Sequence, residues 1–300
     1  MADGSLAAPL AGEDQKARCL ALRDGRLLAY DDVGDPDGRP VMWFHGFGGT
    51  RVLRHPDDEV ARRLGVRLLA IDRPGIGRSS GLADRRLLDW PRDVGEFSDA
   101  LGLGRFAVLG WSGGGPYALA CAWAMPERVT VAGLINSPAP LAGVPRADYL
   151  HRVHRAAARA AGPAPWMIRL AMWRWARAQQ RDPARHLDEA VAKMIEADRI
   201  LVDEPKIRSL MLANTTELHR QGTRGVADEA LVMAREWGFP LSEVRVPVRL
   251  WHGEADPTVP VSMGRFLARE MPTCQATFYP DEGHHLFFDR WEGILTALDR

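Results

Sequence analysis

Phe106–Trp123, FAVLGWSGGGPYALACAW, is the stretch from which the fold can be read. Phe106 to Leu109 read as a buried strand, the glycines around Ser112 as a turn, and the residues beyond as a helix. Gly110-Trp111-Ser112-Gly113-Gly114 fits G-x-S-x-G, the sharp strand-to-helix elbow that lifts a serine hydroxyl out of a sheet. The serine of such an elbow occupies a strained backbone region. Only residues without a Cβ let the strand and helix pass so closely on either side of it. Pro116 falls in the first helical turn, where its missing N–H costs nothing.

Outward from the elbow, short apolar strands alternate with helical stretches. Upstream, Arg18–Leu22 and Arg26–Asp32 flank Asp24-Gly25, a hairpin signal. Val41–Phe44 and Val66–Ile71 are predicted strands, separated by an amphipathic helix at about 56–64; a further helix is predicted over 89–101. Downstream, Val129–Ile135 is another buried strand. After a long interruption the rhythm resumes with Val246–Leu250, a helix at 262–270, a strand at 275–279 and a terminal helix. Such alternation means a mostly parallel sheet of about eight strands, covered by helices on both faces. The interruption, 138–235, shows no convincing strand and is rich in Ala, Arg, Trp and Met, so it reads as an inserted, all-helical cap. The expected division is a flexible tail over 1–17, a core of 18–137 and 236–300, and the cap between them.

Composition narrows the function. The chain has 300 residues, enough for one large α/β domain carrying an insertion, and its 46% apolar content allows a sizeable core. Formal net charge is zero, which gives no support to a nucleic-acid partner. The 3 cysteines lack C-x-x-C spacing, so neither a disulfide framework nor a zinc site is expected, and a reducing cytoplasm is the simplest setting. The N-terminus carries no basic region followed by an apolar run, and no stretch reads as a membrane span. His151 and His154 have helical spacing but no third ligand nearby, and the glycines at 113–115 lack G-x-G-x-x-G spacing; no metal or cofactor is expected.

A serine hydroxyl is a poor nucleophile at neutral pH and needs a positioned base, which needs an acid to orient it. Trp251-His252-Gly253-Glu254-Ala255-Asp256 follows one strand and Glu282-Gly283-His284-His285 follows the last, so both loops lie at the carboxyl edge of the sheet beside Ser112. Glu254, Asp256 and Asp281 compete as the acid, and His284 and His285 as the base. Ile135-Asn136-Ser137, at the end of the earlier strand, offers no carboxylate.

With HGFGG at 45–49, DRPGIGRS at 72–79, GWSGG at 110–114, HGEAD at 252–256 and EGHH at 282–285, the chain resembles a serine-dependent α/β-hydrolase with a helical cap. The resemblance runs from Arg18 to Arg300 and implies Ser112 as nucleophile, Asp256 as orienting acid and His284 as base. It further implies the backbone N–H groups of Phe47 and Gly113 as the oxyanion hole. His45 reads as a hydrogen-bonder under the oxyanion loop, and Asp72 and Arg73 as braces of the neighbouring loop. Dehalogenases and epoxide hydrolases of this fold use an aspartate nucleophile, which Ser112 argues against. Proline-type aminopeptidases of this group usually carry HGGPG where this chain has HGFGG.

The cap bears on the substrate. Trp166–Arg181 reads as a helix whose Ile168, Ala171, Met172, Trp175 and Ala178 make one apolar stripe, opposite Arg169, Arg174, Arg177 and Arg181 mixed with Trp166, Leu170 and Trp173. Large aromatics on both sides predict a helix covered twice, by the core and by other cap helices or a second copy in a homodimer. A lid of Trp, Met and Leu suits an apolar tunnel, with His45, Trp111, Trp166, Met172, Trp175 and His285 as candidate pocket residues. The expectation is hydrolysis of a small to medium, largely apolar carboxylic ester. Thioester, lactone or amide cleavage, a cofactor-free lyase or cyclase, and a ligand receptor keeping the triad are the alternatives.

Overall fold

The computed structural model describes residues 17–143, 156 and 158–299. The expected tail lies outside the described residues apart from Ala17, which opens β1 (Ala17–Ala21). β1 and β2 (Leu27–Gly34) form the hairpin around Asp24-Gly25, with Ala21 opposite Leu27. β3 (Arg39–Phe44), β4 (Val66–Ile71), β5 (Phe106–Trp111), β6 (Val129–Ile135), β7 (Val248–Gly253) and β8 (Cys274–Tyr279) complete one sheet. Its order is β1-β2-β4-β3-β5-β6-β7-β8. β2 pairs antiparallel with both β1 and β4, and the remaining neighbours pair parallel, as the alternation of strands and helices predicts. β7 starts later than its apolar run suggests. Pro247 has no N–H for the ladder, and pairing begins at Val248, which donates to the Thr273 carbonyl.

Both faces of the sheet are covered, and the alternation of β5 shows how. Phe106 and Val108 point into one core with Trp90 and Phe97 of α2 (Trp90–Ala100), Tyr117 of α3 (Gly115–Ala124) and Met263 of α9 (Val261–Glu270). Ala107, Leu109 and Trp111 point into the other, with Ala61 of α1 (Asp58–Arg63) and Phe287 and Trp291 of α10 (Phe287–Ala297). The middle of the sheet is thus buried on each side, which is why β3 to β7 read as largely apolar runs rather than alternating ones. Because β3 to β8 are parallel, the loops after β3, β4, β5, β6, β7 and β8 all emerge at one edge.

Between β6 and β7 the described residues form α4 (Pro165–Arg181), α5 (Pro183–Val191), α6 (Glu196–Asp203), α7 (Pro205–Leu218) and α8 (Arg224–Ala234), with no strand among them. α4, α5 and α7 open on a proline, which is pre-set for the first helical turn. Buried ion pairs join this insertion to the core. Arg51 donates to Asp31 (3.0 Å), Asp72 (2.8 Å) and Glu217 of α7 (2.5 Å), and Arg73 donates to Glu229 of α8 (2.7 Å). Removing one member of such a pair leaves an uncompensated buried charge, so the attachment is stiff.

α4 departs from expectation on its outer side. Ile168 and Ala176 are buried and Met172 and Trp175 half-buried, but Ala171 and Ala178 are exposed, and so are Trp166 (63%) and Trp173 (46%). Among the described residues the helix is therefore covered on one side. The physical reason is that Arg174, Arg177 and Arg181 share the outer side with those tryptophans and keep it solvated. Among the described residues, no helix is long and apolar enough to cross a membrane.

Candidate active site

Ser112 sits directly after β5 with φ at +51°, in the left-handed region that a residue with a Cβ seldom adopts. Holding it there costs the fold about 1–3 kcal/mol, which the packing on both sides of β5 sustains. Phe47, in the loop after β3, lies against the elbow: its backbone nitrogen is 2.8 Å from where a Cβ on Gly113 would stand. Only glycine at 113 allows that approach. Among the described residues the Phe47 N–H has no acceptor, so it is free to donate to a ligand beside Gly113.

The loop after β3 is fixed from beneath. The Arg73 guanidinium, fully buried and 4.6 Å over the Tyr117 ring, donates to the carbonyls of His45 (2.5 Å) and Gly46 (3.0 Å) as well as to Glu229. His45 Nδ1 is 2.9 Å from the Gly46 carbonyl, which assigns the proton to that nitrogen. Burial, and after it the charge of Arg73, holds the His45 imidazole well below its usual pKa. His45 is thus a neutral strut, as the sequence suggests, and no rival base.

The acid loop after β7, carrying Asp256, and the histidine loop after β8, carrying His284, meet beside Trp111, the residue before Ser112. His284 Nδ1 is 2.7 Å from Asp256 Oδ2, and the other carboxylate oxygen accepts the N–H groups of Thr258 (2.7 Å) and Val259 (2.9 Å). Both oxygens of this buried carboxylate are thereby engaged, and the His284 ring is left with Nε2 as its free nitrogen. The competing acids are elsewhere: Glu254 pairs with Arg265 at 2.6 Å on the surface, and Asp281 is exposed. Trp111, the residue before Ser112, packs its ring 5.2 Å from the His284 ring and donates Nε1 to the His284 carbonyl at 2.9 Å.

Of the other candidate residues, Trp175 comes to the site, its ring 6.0 Å from that of Phe47 and packed with Met172 against Ile76, Leu218 and Val226. His285 stacks on Phe288 behind Trp111. Trp166 does not join them; it lies on the exposed side of α4. His151 and His154 lie outside the described residues, and among the described residues no group of His, Cys, Asp and Glu could hold a metal ion.

Two residues enter that the motifs do not announce. Asn136, at the end of β6 with φ +45°, donates Nδ2 to the carbonyls of Gly283 and His284, both at 2.8 Å, and accepts the Gly253 N–H at 2.9 Å. It stitches the acid loop to the histidine loop from the strand end where the sequence offers no carboxylate. Asp198, on α6, accepts the backbone N–H of His284 (2.9 Å) and of His285 (2.8 Å). Nothing in its local sequence, EADRILVD, sets it apart from the other charges of an amphipathic helix. Asn136 was visible as a non-glycine at a strand end, but its three partners lie more than a hundred residues away.

An open, mostly parallel sheet with this elbow on a central strand defines the class of α/β hydrolases. The chain belongs to the alpha/beta hydrolase fold family, whose model matches residues 39–290. Over 274 residues, 90% of this chain, it is 28% identical to the dihydrolipoyllysine-residue acetyltransferase component of an acetoin cleaving system from Pseudomonas putida, and it spans 65% of that protein's length. A stretch of 120 residues, 37% of this chain and 36% of the relative, is 32% identical to a proline iminopeptidase from Xylella fastidiosa. Among solved structures, a hydrolase from Pseudomonas aeruginosa superposes with a TM-score of 0.72 over 95% of this chain and 99% of that one, at 20% identity. At that identity the likeness is one of fold.

Proposed function

We propose that this hydrolase is serine-dependent and cleaves a small to medium, largely apolar carboxylic ester through an acyl-serine intermediate. The observation that carries the reading is the 2.7 Å hydrogen bond from His284 Nδ1 to Asp256 beside a serine held at φ +51°. In this reading Ser112 Oγ attacks the ester carbonyl while His284 Nε2 takes its proton, and Asp256 stabilises the imidazolium. The carbonyl oxygen becomes an oxyanion facing the Phe47 and Gly113 N–H groups, each donor worth about 3–4 kcal/mol at that stage. His284 then protonates the departing alcohol. A water, deprotonated by the same Nε2, releases the acid and restores Ser112.

The preference for apolar, uncharged substrate rests on the surroundings of the oxyanion loop. Phe47, Trp175 and Met172 border it, and the helical insertion acts as a cap from which Trp175 projects. The likeness to a proline iminopeptidase raises amide cleavage as a second reading. An aminopeptidase needs a carboxylate free to receive a substrate ammonium. Of the buried carboxylates brought by the insertion, Asp198 and Glu217 are engaged by donors of the core, and Glu229 is ion-paired with Arg73 through Oε1 and lies 3.8 Å from Arg85 through Oε2, so each already faces a cation or donors of the core, which favours the ester. A series of p-nitrophenyl esters of rising acyl length, beside their charged counterparts and proline p-nitroanilide, tests the proposal. Highest kcat/KM on a short or medium uncharged ester is expected; preference for charged esters or for the anilide overturns it.

A further inference from the structure

His284 is held at four points. Asp256 takes its ring Nδ1, Trp111 and Asn136 take its carbonyl, and Asp198 takes its backbone N–H. The first three holders belong to strand ends of the sheet. The fourth is on α6, in the insertion, 86 residues earlier in the chain. Asp198 is 2% exposed, and its two oxygens divide between consecutive N–H groups: Oδ2 serves His284 and Oδ1 serves His285, whose ring Nδ1 also comes within 3.4 Å. Burial alone would raise the Asp198 carboxyl; the hydrogen bonds and charge of His285, with the N–H of His284, outweigh it and hold the group below the usual carboxylate value.

A second observation points the same way. A Cβ on Gly283 would have the Asp198 carboxyl group as its three nearest neighbours, with Oδ1 at 2.6 Å. The glycine before His284 is therefore the opening through which a carboxylate from the insertion reaches the histidine loop. Two N–H groups in succession, pinned by one carboxylate, fix both the position and the tilt of the peptide that carries the imidazole.

We propose that Asp198 is a positioning residue for the reaction: the insertion lends a carboxylate that fixes the His284 backbone, so that Nε2 meets Ser112. The inference rests on the serine-hydrolase reading above. It makes the insertion part of the catalytic centre as well as a cover for it. A displacement of about 1 Å in a reacting group can cost on the order of a hundredfold in rate, so the effect belongs in kcat.

The test uses purified full-length protein and p-nitrophenyl acetate. Asp198→Ala is expected to lower kcat roughly 30- to 100-fold with KM within about twofold. Asp198→Asn keeps the shape and one acceptor oxygen and should fall between that variant and wild type. Gly283→Ala should lower kcat comparably by driving the carboxylate away. The double variant Asp198→Ala with Gly283→Ala should then be no slower than Asp198→Ala alone, because both changes remove one interaction. A merely structural role would give additive losses in the double variant and no split between kcat and KM. Either outcome, or kcat for Asp198→Ala within twofold of an active wild type, overturns the proposal. A wild-type protein without esterase activity that Ser112→Ala abolishes refutes instead the hydrolase reading, and takes this inference with it.

Discussion

Asn136→Asp is a near-isosteric change that removes one donor and leaves everything else in place. The Oδ1 that accepts the Gly253 N–H is retained, and the φ of +45° suits aspartate as it does asparagine. What is lost is the amide NH2 that donates to the Gly283 and His284 carbonyls, each at 2.8 Å in the buried interior. An ionised aspartate puts an acceptor against two acceptors. Two net hydrogen bonds at about 1 kcal/mol each, and about 1 kcal/mol for each carbonyl left unmatched, give a destabilisation of about 4 kcal/mol. The side chain has one escape, which is to stay protonated and donate to one carbonyl. That costs about 1.4 kcal/mol for every pH unit above the carboxylate's usual value near 3.9. At pH 5 the cost is about 1.5 kcal/mol, plus about 2 for the lost hydrogen bond and the carbonyl it leaves unmatched, a total of about 3.5, so the protonated form is used. At pH 8 the same route would cost about 5.6 kcal/mol for protonation and about 2 for the lost bond, about 7.6 in all, so the ionised form is used and the loss stays near 4. Urea unfolding of wild type and variant at both pH values measures the difference. A destabilisation below about 1 kcal/mol at both pH values would refute the stitching role given to Asn136.

Ser112→Gly is expected to abolish esterase activity yet raise stability by about 1 kcal/mol, since glycine adopts φ +51° without strain; a midpoint in urea at or below that of wild type would contradict the strain. Gly113→Ala forces a Cβ to within 2.8 Å of the Phe47 nitrogen, and kcat should fall on the order of a hundredfold as that donor is displaced, while KM for p-nitrophenyl acetate changes little. The fold should also lose stability as pH drops below about 6.5. Burial keeps His45, His252, His219 and His55 below their usual pKa in the folded chain, so the unfolded chain takes up protons first and each histidine costs up to about 1.4 kcal/mol per pH unit. Asp198 and Glu217, held below the ordinary carboxylate range by their donors against the opposing effect of burial, lose their contribution only further down, as pH falls through their lowered values. Urea midpoints at pH 7.5 and 5.5 read the slope; His45→Gln should flatten it, and an unchanged slope would count against a neutral buried His45.

The middle of the sheet was legible in the sequence because β3 to β7 are short, largely apolar runs ended by turns, and burial on both faces leaves that signature. The same holds for the loops: GWSGG, HGEAD and EGHH each follow a strand, and parallel strands deliver their ends to one edge. Asp256 and His284 could be named before any contact was known, and they stand 2.7 Å apart. Two things were not legible. The outer side of α4 carries Trp166 and Trp173 beside Arg174, Arg177 and Arg181, and a count of apolar residues around a helix does not say that the arginines keep the side solvated. Asp198 and Asn136 owe their roles to partners 86 and 148 residues away, pairs that no local pattern records. Long-range hydrogen bonds to backbone groups leave no trace in residue type, since any N–H or carbonyl will serve.

The central claim is that Ser112 is an activated nucleophile. A fluorophosphonate probe followed by peptide mass spectrometry tests it directly. One covalent adduct on the Ser112 peptide is predicted, absent in Ser112→Ala and strongly slowed in His284→Ala. An unlabelled wild-type protein, or an adduct on another residue that survives Ser112→Ala, would contradict it.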